Sequence, residues 1–507
     1  MKEQIAININ EKELRRLPKE GPFICVANRL LDGVAANALQ TLFEKVGGEY
    51  QLISNRRDAL KEVDLGSSLQ PAYFQQLLET LKKAKEDKVN VALLLNFSSN
   101  PLEGMGKRRR LNQTMKVLRQ LELPIVPIRL ITDVHPFFHS GIRAKILKRT
   151  TQDAIQVNLR IGNPIRVEDQ ARIVKNSRLR KYVQSKVFAL GSDLEVKRFF
   201  SNPFLREAES EVALAAAIDP ALIEKDIQGL RFENLIAAQS DYDILVAAAH
   251  QIPNVLMEIG RLRELTFRAV GEGTGKASDL DEFDLYYDHL IIWDRVNKQL
   301  VGGYRMGRGD EIFSKYGLEG FYIHSLFKVK AGFFPIMRQS VELGRSYIVP
   351  AYQRKRLPLF LLWKGILYFL LKNPEYRYLF GPVSISKYYS NVSKGLIISF
   401  IEKFYFNRGL AQYLSPRKPF KFKTQKVDIN VLLENMDSEM KNLDSLVEDI
   451  EPQHFRIPVL FRQYLKLNAR FISFNVDPNF SDCLDGFILL DLNDVPLSML
   501  EALKKEV

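Results

Sequence analysis

Between residues 21 and 170 short apolar runs alternate with charged stretches. The runs "PFICVAN", "YQLISN", "VNVALLLNF", "LPIVPIRLI" and "IQVNLRIG" are separated by polar segments such as "LETLKKAKEDK". Short continuous apolar runs punctuated by amphipathic helices predict buried strands of an α/β domain, assigned to residues 1–200. Residues 201–255, with the Ala-rich "SEVALAAAIDPALIEKDI", predict a helical linker. From 256 to 507 the pattern becomes mixed (α+β), with strands expected at "HLIIWD", "LVGGYRMG", "GFYIHSLF", "ELGRSYIVP" and "YRYLFGPVSIS" around a central mixed sheet. An acidic amphipathic stretch at 431–451 reads as a solvent-facing insertion. The run "LPLFLLWKGILYFLL" is too short to cross a bilayer and contains Lys364, so it reads as a buried or interfacial helix.

Composition narrows the class. A hydrophobic content of 46% excludes a disordered chain. The net charge of +13 favours an anionic partner: nucleic acid, lipid headgroups or an acidic carrier protein. Cys25 and Cys483 are far apart and have no metal-type spacing, which argues against a disulfide framework and fits a reducing compartment. The amino terminus shows no apolar signal core.

The candidate chemistry lies in the second half. "VELGRSYIVPAYQRKR" sets Glu342 and Arg345 three residues apart in a strand-like run, ahead of a basic loop. Charge is costly to bury there. On a regular strand such residues point to opposite faces. Gly344 between them suggests a bulge, which would bring both charges to one side or leave one on each. Upstream, "GRLRELTFRAV" places Arg263 four residues before Phe267, "DLDEFD" carries Asp279, Asp281 and Asp284, and "VGGYRMG" puts Arg305 near a strand end. Taken alone, "DLDEFD" reads as a solvated turn or helix cap. The Glu342 and Arg345 pair, likewise alone, reads as a structural ion pair. His289 and His324 read as satisfied strand histidines, and no zinc spacing occurs. "GEGTG" at 271–275 lacks a phosphate-loop context and reads as a mobile substrate-side loop.

In this fixed order the motifs resemble two related GNAT-superfamily groups, the ornithine-lipid N-acyltransferases and the acyl-homoserine lactone synthases. The pattern of the synthases is Arg-x3-Phe, an acidic x-Asp-x-x-Asp cluster, a Gly-x-Arg-like step and Glu-x-x-Arg. The resemblance runs from Leu256 to Pro419 and resumes from Ile457 to Leu492. It is similar above all to a hemolysin-like branch fused to an amino-terminal lipid acyltransferase domain. The resemblance implies transfer of a fatty acyl chain, 3-hydroxylated in the family, to the amine of ornithine, glycine or a similar amino acid, making a lyso-aminolipid. The donor would be acyl carrier protein or acyl-CoA as a phosphopantetheine thioester, with no bound cofactor and no metal. An attacking amine must lose a proton; Glu342, Asp281 and Asp284 are the implied base or amine-positioning groups. Arg305 and Arg345 would anchor a carboxylate or hold the acidic cluster. Arg263, Phe267 and Asp279 fall on the substrate side. Ser384, Ser386, Tyr388 and Tyr389 end "LFGPVSISKYY", near where GNAT enzymes place a tyrosine that protonates the leaving thiolate. A splayed strand at "ELGR" is implied, with backbone N–H groups for the pantetheine arm and thioester carbonyl. The loop with Arg354, Lys355 and Arg356 lacks the glycine-rich form of many acetyl-CoA sites, which weakens the case for CoA and suits an acidic carrier.

Residues 21–170 resemble the glycerol-phosphate and lysophospholipid acyltransferases through "FICVANRLLDGVAANAL", "ALLLNFSSNPLEG", "LPIVPIRL" and "VNLRIGNPIRVED". That family needs a His-x4-Asp pair. Here Asp32 is present, but Ala27 stands five residues before it, Arg29 follows Asn28, and no histidine precedes His135. Arginine stays protonated and cannot act as a base. The domain is therefore expected to be degenerate, keeping its fold without O-acyl transfer. Two other readings remain: a bifunctional enzyme that also O-acylates a lysolipid, and a non-catalytic lipid-surface protein. Basic runs at 107–110 and 140–150 suit anionic headgroups or a solvated face. "KFYFNRGLAQYLSPRKPFKFKTQK" suits a bilayer interface. The expected partners are acyl carrier protein, an anionic membrane surface and an amino-acid acceptor, with no nucleic acid. The expected location is cytoplasmic, peripheral on the inner face of a bacterial inner membrane.

Overall fold

The computed structural model describes residues 5–30, 33–47, 49–54, 62–64, 71–95, 97, 105–132, 155–191, 212–230, 232–355, 357–422, 426–499 and 501. Asp32, His135, Arg356, the basic run 140–150 and most of "NFSSNP" lie outside them. The chain is α/β and divides into two units. The first takes Met1–Leu205, Ser390–Ser399 and Phe422–Ile457; the second takes Arg206–Tyr389, Phe400–Lys421 and Pro458–Val507.

The first unit is built on strands β1 (Ile5–Ile9), β2 (Ile24–Asn28), β3 (Tyr50–Ser54), β4 (Glu62–Asp64), β5 (Asn90–Leu95), β6 (Ile125–Thr132) and β7 (Ile155–Ile161), in the order β1-β7-β6-β2-β5-β3-β4. Only the β6–β7 pair is antiparallel among the described residues. The continuous apolar runs follow from burial on both faces. In β2, Ile24 and Val26 enter one core, while Cys25 and Ala27 enter the other. Asn28 prolongs the ladder with its side chain, donating to the Leu130 carbonyl at 3.0 Å and accepting from the Leu130 N–H at 2.7 Å.

The acidic stretch at 431–451 is not a solvent-facing insertion of the second unit. Its helix Met440–Ile450 packs Leu443, Leu446, Val447 and Ile450 inward and belongs to the first unit. Asp449 is buried and accepts from Lys186 Nζ at 2.8 Å, the Asn163 N–H at 3.1 Å and Asn163 Nδ2 at 2.8 Å, with Arg16 Nη1 at 3.1 Å. The acidic face visible in sequence is thus partly an answer to buried cations.

The second unit has an eight-stranded mixed sheet. Its strands are β8 (Leu235–Gln239), β9 (Tyr242–Ala248), β10 (Asp288–Asp294), β11 (Gln299–Arg308), β13 (Ser340–Ile348), β14 (Tyr378–Ile385), β16 (Arg470–Asp477) and β17 (Cys483–Asp491), ordered β16-β17-β14-β13-β11-β10-β9-β8. The short β12 (Phe327–Val329) and β15 (Leu414–Pro416) pair separately. Two expectations fail here. The helical linker at 201–255 holds the hairpin β8–β9, and its Ala-rich part is not helical: helix Pro220–Gly229 begins only after that run, capped by Asp219. A residue before proline is pushed out of the helical region, and Val212 and Ala215 donate instead to the Gly275 and Ala277 carbonyls. "GFYIHSLF" forms a short helix, Tyr322–Leu326, rather than a strand. An apolar run this short does not distinguish the two.

Helix Leu357–Lys372 packs on the sheet and buries Lys364, whose Nζ donates to Gln239 Oε1 at 2.9 Å. Among the described residues, no helix is long and apolar enough to cross a membrane. Replacing Asp449 by Ala leaves buried Lys186 without its carboxylate and takes one from the partly buried Arg16. A loss of about 3–5 kcal/mol is expected, read by denaturant unfolding of the full chain.

Candidate active site

The β13–β14 pair is the only parallel pair of strands within the eight-stranded sheet among the described residues, and it lasts three positions: Ser340–Tyr378, Val341–Leu379 and Glu342–Phe380. Beyond that, β13 stays with β11 as far as Ile348, and β14 stays with β17 as far as Ile385. The two strands therefore splay. A Cβ placed on Gly344 would meet no atom within 4 Å, so open space lies over that face of β13.

A bulge sits on the same strand. Gly303 pairs with Tyr347 but Arg305 with Gly344, so β13 carries one extra residue. Arg345 takes it up with φ +52°, a conformation that costs a non-glycine residue about 1–3 kcal/mol. Glu342 and Arg345 consequently reach one cluster of side chains on one face. Glu342 Oε2 accepts from Tyr287 Oη at 2.5 Å, and Arg345 Nη1 donates to Tyr322 Oη at 3.1 Å. The Tyr322 N–H in turn donates to Tyr287 Oη at 3.1 Å. That settles the two readings left open by the sequence.

Around this face three guanidinium groups meet three carboxylates. Arg263, on helix Pro253–Arg268, donates to Asp284 Oδ1 at 2.7 Å, Asp284 Oδ2 at 3.0 Å, Asp279 Oδ2 at 2.9 Å and the Asp279 carbonyl. Arg305 Nη1 donates to Asp281 Oδ1 at 2.5 Å and lies 3.4 Å from Asp284 Oδ1. Arg345 Nε lies 3.0 Å from Asp279 Oδ2. "DLDEFD" is also a cap: Asp281 accepts from the Phe283 N–H, and Asp284 accepts from the Asp281 N–H. The guanidinium of Arg305 stacks near the Phe283, Tyr287 and Tyr322 rings at 5.1–5.4 Å. Burial pushes the Asp284 carboxyl up, but Arg263 and Arg305 outweigh it and hold it well below the usual range. Burial disfavours the Arg263 charge, and Asp279 and Asp284 outweigh that in turn. His289 Nε2 donates to the Asp284 carbonyl at 2.9 Å, and burial lowers its pKa.

Burial sorts the candidates. Arg263, Asp279, Asp284, Arg305 and Glu342 are all buried, so they build the site rather than touch a substrate in this conformation. Glu342 is a catalytic candidate only by sequence. It is 1% exposed, and its other oxygen accepts from the Ile323 N–H at 2.7 Å. Burial, opposed by these bonds, raises its pKa to about 7. Phe267 is a core residue stacked edge-on against Phe480. Solvent reaches Asp281, 28% exposed, and Arg345, 11% exposed. Ser384 is partly buried at the open end of β14; Ser386 Oγ instead donates to the Val270 carbonyl at 2.5 Å and accepts from the Tyr388 N–H. Tyr388 is half exposed and packs against Gly271, while Tyr389 is partly buried. Arg354 and Lys355 are exposed just before helix Leu357–Lys372.

Sequence reasoning missed three supports. Tyr287 and Tyr322 join Glu342 to Arg345, and Tyr322 Oη donates onward to Asp477 Oδ2 at 3.2 Å. Glu264, fully buried, accepts from the Thr274 N–H, Thr274 Oγ1, the Gly275 N–H and Arg268 Nε within 3.0 Å. Those bonds pin "GEGTG", which had been expected to be mobile. Glu264 directly follows Arg263 and Arg261-Leu262 in the helix, and nothing in that charged run distinguishes it.

The profile of acetyltransferase (GNAT) domains matches residues 262–363, a span that holds Arg263, the three aspartates, Arg305, Glu342 and Arg345. A glycine N(alpha)-acyltransferase of Phocaeicola vulgatus is 31% identical over 282 residues, 52% of this chain and 83% of that protein. This chain belongs to the GNAT N-acyltransferases. A glycine N(alpha)-acyltransferase of Bacteroides thetaiotaomicron is 28% identical over 270 residues, 51% of this chain and 79% of that protein. The acyl-homoserine lactone synthase LasI aligns with 32% of this chain and 79% of its own at 14% identity and a TM-score of 0.22, too low to carry weight. The protein is an N-acyltransferase.

Replacing Asp284 by Asn leaves Arg263 and Arg305 short of a counter-charge in the interior. A loss of about 3–5 kcal/mol is expected. A carboxyl held low stabilises fully above its ordinary value of 3.8, and that contribution is lost as pH falls below it. Unfolding midpoints should therefore fall more steeply with acid in the wild type than in the variant.

Proposed function

We propose that the enzyme moves a fatty acyl chain from acyl carrier protein to the α-amine of glycine, giving an N-acylglycine that serves as a lyso-aminolipid. The observation that carries this reading is the pairing of solvent-reached Arg345 and Asp281 beside the gap between β13 and β14. Arg345 offers a guanidinium to the acceptor carboxylate, and Asp281 offers a carboxylate to its ammonium group. The aspartate and arginine ends suit a zwitterion of one-carbon span. The two relatives named for glycine support that acceptor over ornithine.

The donor's arm lies along the open edge of β13, where backbone N–H groups stabilise the thioester carbonyl as it becomes an oxyanion. Arg354 and Lys355, exposed ahead of helix Leu357–Lys372, suit an acidic carrier protein better than they suit a buried phosphate. The first unit, with Ala27 and Arg29 in place of a catalytic histidine, acts in this reading as a membrane or product-handling scaffold.

Purified protein should be incubated with palmitoyl-carrier protein or palmitoyl-CoA and with glycine, ornithine or serine, and the products read by mass spectrometry. N-palmitoylglycine is expected to dominate; its absence with both donors overturns the glycine reading. If Arg345 holds the carboxylate through a charge-assisted bond of about 1.5–3 kcal/mol, glycine should be acylated roughly 10- to 100-fold more efficiently than glycinamide. Reversing charge with Arg354→Glu and Lys355→Glu should raise KM for the acyl-carrier protein roughly tenfold, and added salt should shrink that difference.

A further inference from the structure

A guanidinium that grips a carboxylate does so best when its fork is already held in one orientation, since less rotamer freedom is then lost on binding. The nitrogens of Arg345 are unequally engaged. Nε lies 3.0 Å from Asp279 Oδ2, and Nη1 donates to Tyr322 Oη at 3.1 Å. Nη2 is 3.8 Å from Asp281 Oδ2, beyond hydrogen-bond reach. Nη2 is therefore the nitrogen left to meet a ligand, beside the partly exposed Asp281.

The bond to Tyr322 has a direction. A guanidinium has protons to give and no lone pair, so the Tyr322 oxygen accepts from Arg345. Its own proton goes to Asp477 Oδ2 at 3.2 Å. Asp477 ends β16 and is 2% exposed, and its other oxygen accepts from the Asn479 N–H at 2.8 Å. Asp477 thus decides which way the hydroxyl turns. With the proton committed to Asp477, a lone pair faces Arg345.

The turn that follows Asp477 supplies a second contact. Residues 478–482 join β16 to β17, and the ring of Phe480 lies 4.6 Å from the Arg345 guanidinium, with the Tyr322 ring at 4.8 Å. Phe480 is buried and packs edge-on against Phe267 at 5.2 Å. The turn is tied down along its length. The Phe480 N–H donates to the Asp477 carbonyl at 3.4 Å, the Cys483 N–H to the Phe480 carbonyl at 3.2 Å, and Ser481 Oγ to the Gly273 carbonyl at 3.1 Å. Ser481 and Asp482 both stand at positive φ, +58° and +52°. Each such residue costs about 1–3 kcal/mol and persists where surrounding contacts over-determine it. Glycine would relieve that strain, yet the turn contains none and sets Phe480 against Arg345. Asp477 and Phe480 lie well beyond residues 262–363, the span matched by the acetyltransferase profile.

We infer that Tyr322, Asp477 and Phe480 are positioning residues that hold Arg345 with Nη2 presented to the carboxylate of the acceptor, and so set the preference for an amino acid over its uncharged amide. They act through Arg345. Tyr322 and Asp477 fix its hydrogen-bonded side, and the Phe480 and Tyr322 rings confine its plane. The inference rests on the reading of Arg345 as the carboxylate anchor.

Tyr322→Phe keeps the ring and the backbone N–H that donates to Tyr287, and removes only the hydroxyl. The test uses whichever amino acid the wild type acylates, together with its amide. KM for the amino acid should rise roughly tenfold, as expected for weakening one bond to a charged group. The values of kcat and of KM for the acyl donor should stay within a few fold of wild type. The preference for the acid over the amide should shrink by the same roughly tenfold factor, because the amide has no carboxylate for Arg345 to hold. Asp477→Asn keeps the shape but presents hydrogens to one of the two donors that Asp477 receives, so it should move KM and the preference in the same direction. An unchanged KM and preference in both variants, against a wild type that favours the acid, overturns the inference and leaves the reading of Arg345 standing. An equal loss with acid and amide, or a fall in kcat alone, marks a merely structural role and overturns it as well. A wild type that acylates acid and amide equally well overturns the reading of Arg345 and the inference with it.

Discussion

Arg263 is buried to 1% exposure, and its guanidinium is answered by two aspartates from a single loop. A cation without water must be matched nearly completely by its surroundings. Meeting that demand folds "DLDEFD" back against helix Pro253–Arg268 and fixes where Asp281 can point. Asp281 then receives Arg305, and Asp279 receives Arg345. The geometry facing the gap in the sheet is therefore a downstream product of one buried charge. The three arginines and three aspartates nearly cancel, which makes the set tolerable in the interior and leaves little net field there. The groups with solvent access are the ones at its edge.

The bulge is the second constraint. Without the extra residue of β13, Arg345 would emerge on the opposite face from Glu342 and could reach neither Asp279 nor Tyr322. The strained φ at Arg345 is held by its ion pair with Asp279, its bond to Tyr322 and its packing against the Tyr322 and Phe480 rings. Strain of this kind persists where surrounding contacts over-determine it. Glu342 takes the complementary role. It ties the start of helix Tyr322–Leu326 and Tyr287 together from beneath, so that Tyr322 is presented to Arg345.

Much of the fold was legible because burial on both faces leaves an uninterrupted apolar signature. The runs around β2, β5, β6, β10 and β11 carry it plainly. Legibility stopped where tertiary context outvoted local pattern. The Ala-rich residues ahead of Asp219 have helical propensity but lie extended beside residues 275–277, and the strand-like "GFYIHSLF" turns into a helix whose first N–H groups are needed by Tyr287 and Glu342. The site was legible as a set, since the ordered motifs resemble a known family and Arg263, Asp279, Asp281, Asp284, Arg305, Glu342 and Arg345 do converge. Their roles were not legible, because exposure is a property of the folded chain: the spacing of Glu342 and Arg345 says nothing of which is sealed. Glu264 and Tyr322 were invisible for a related reason, as their partners lie far along the chain or on the backbone.

The path of the chain has its own consequence. The first unit is assembled from three separate stretches, and Asp449, which neutralises Lys186 and Arg16, arrives only after most of the second unit has been laid down. During synthesis Arg16 and Lys186 emerge well before the carboxylate that answers them. The two halves are thus interleaved in time as well as in sequence, and neither can be excised with a single cut that leaves its partner whole.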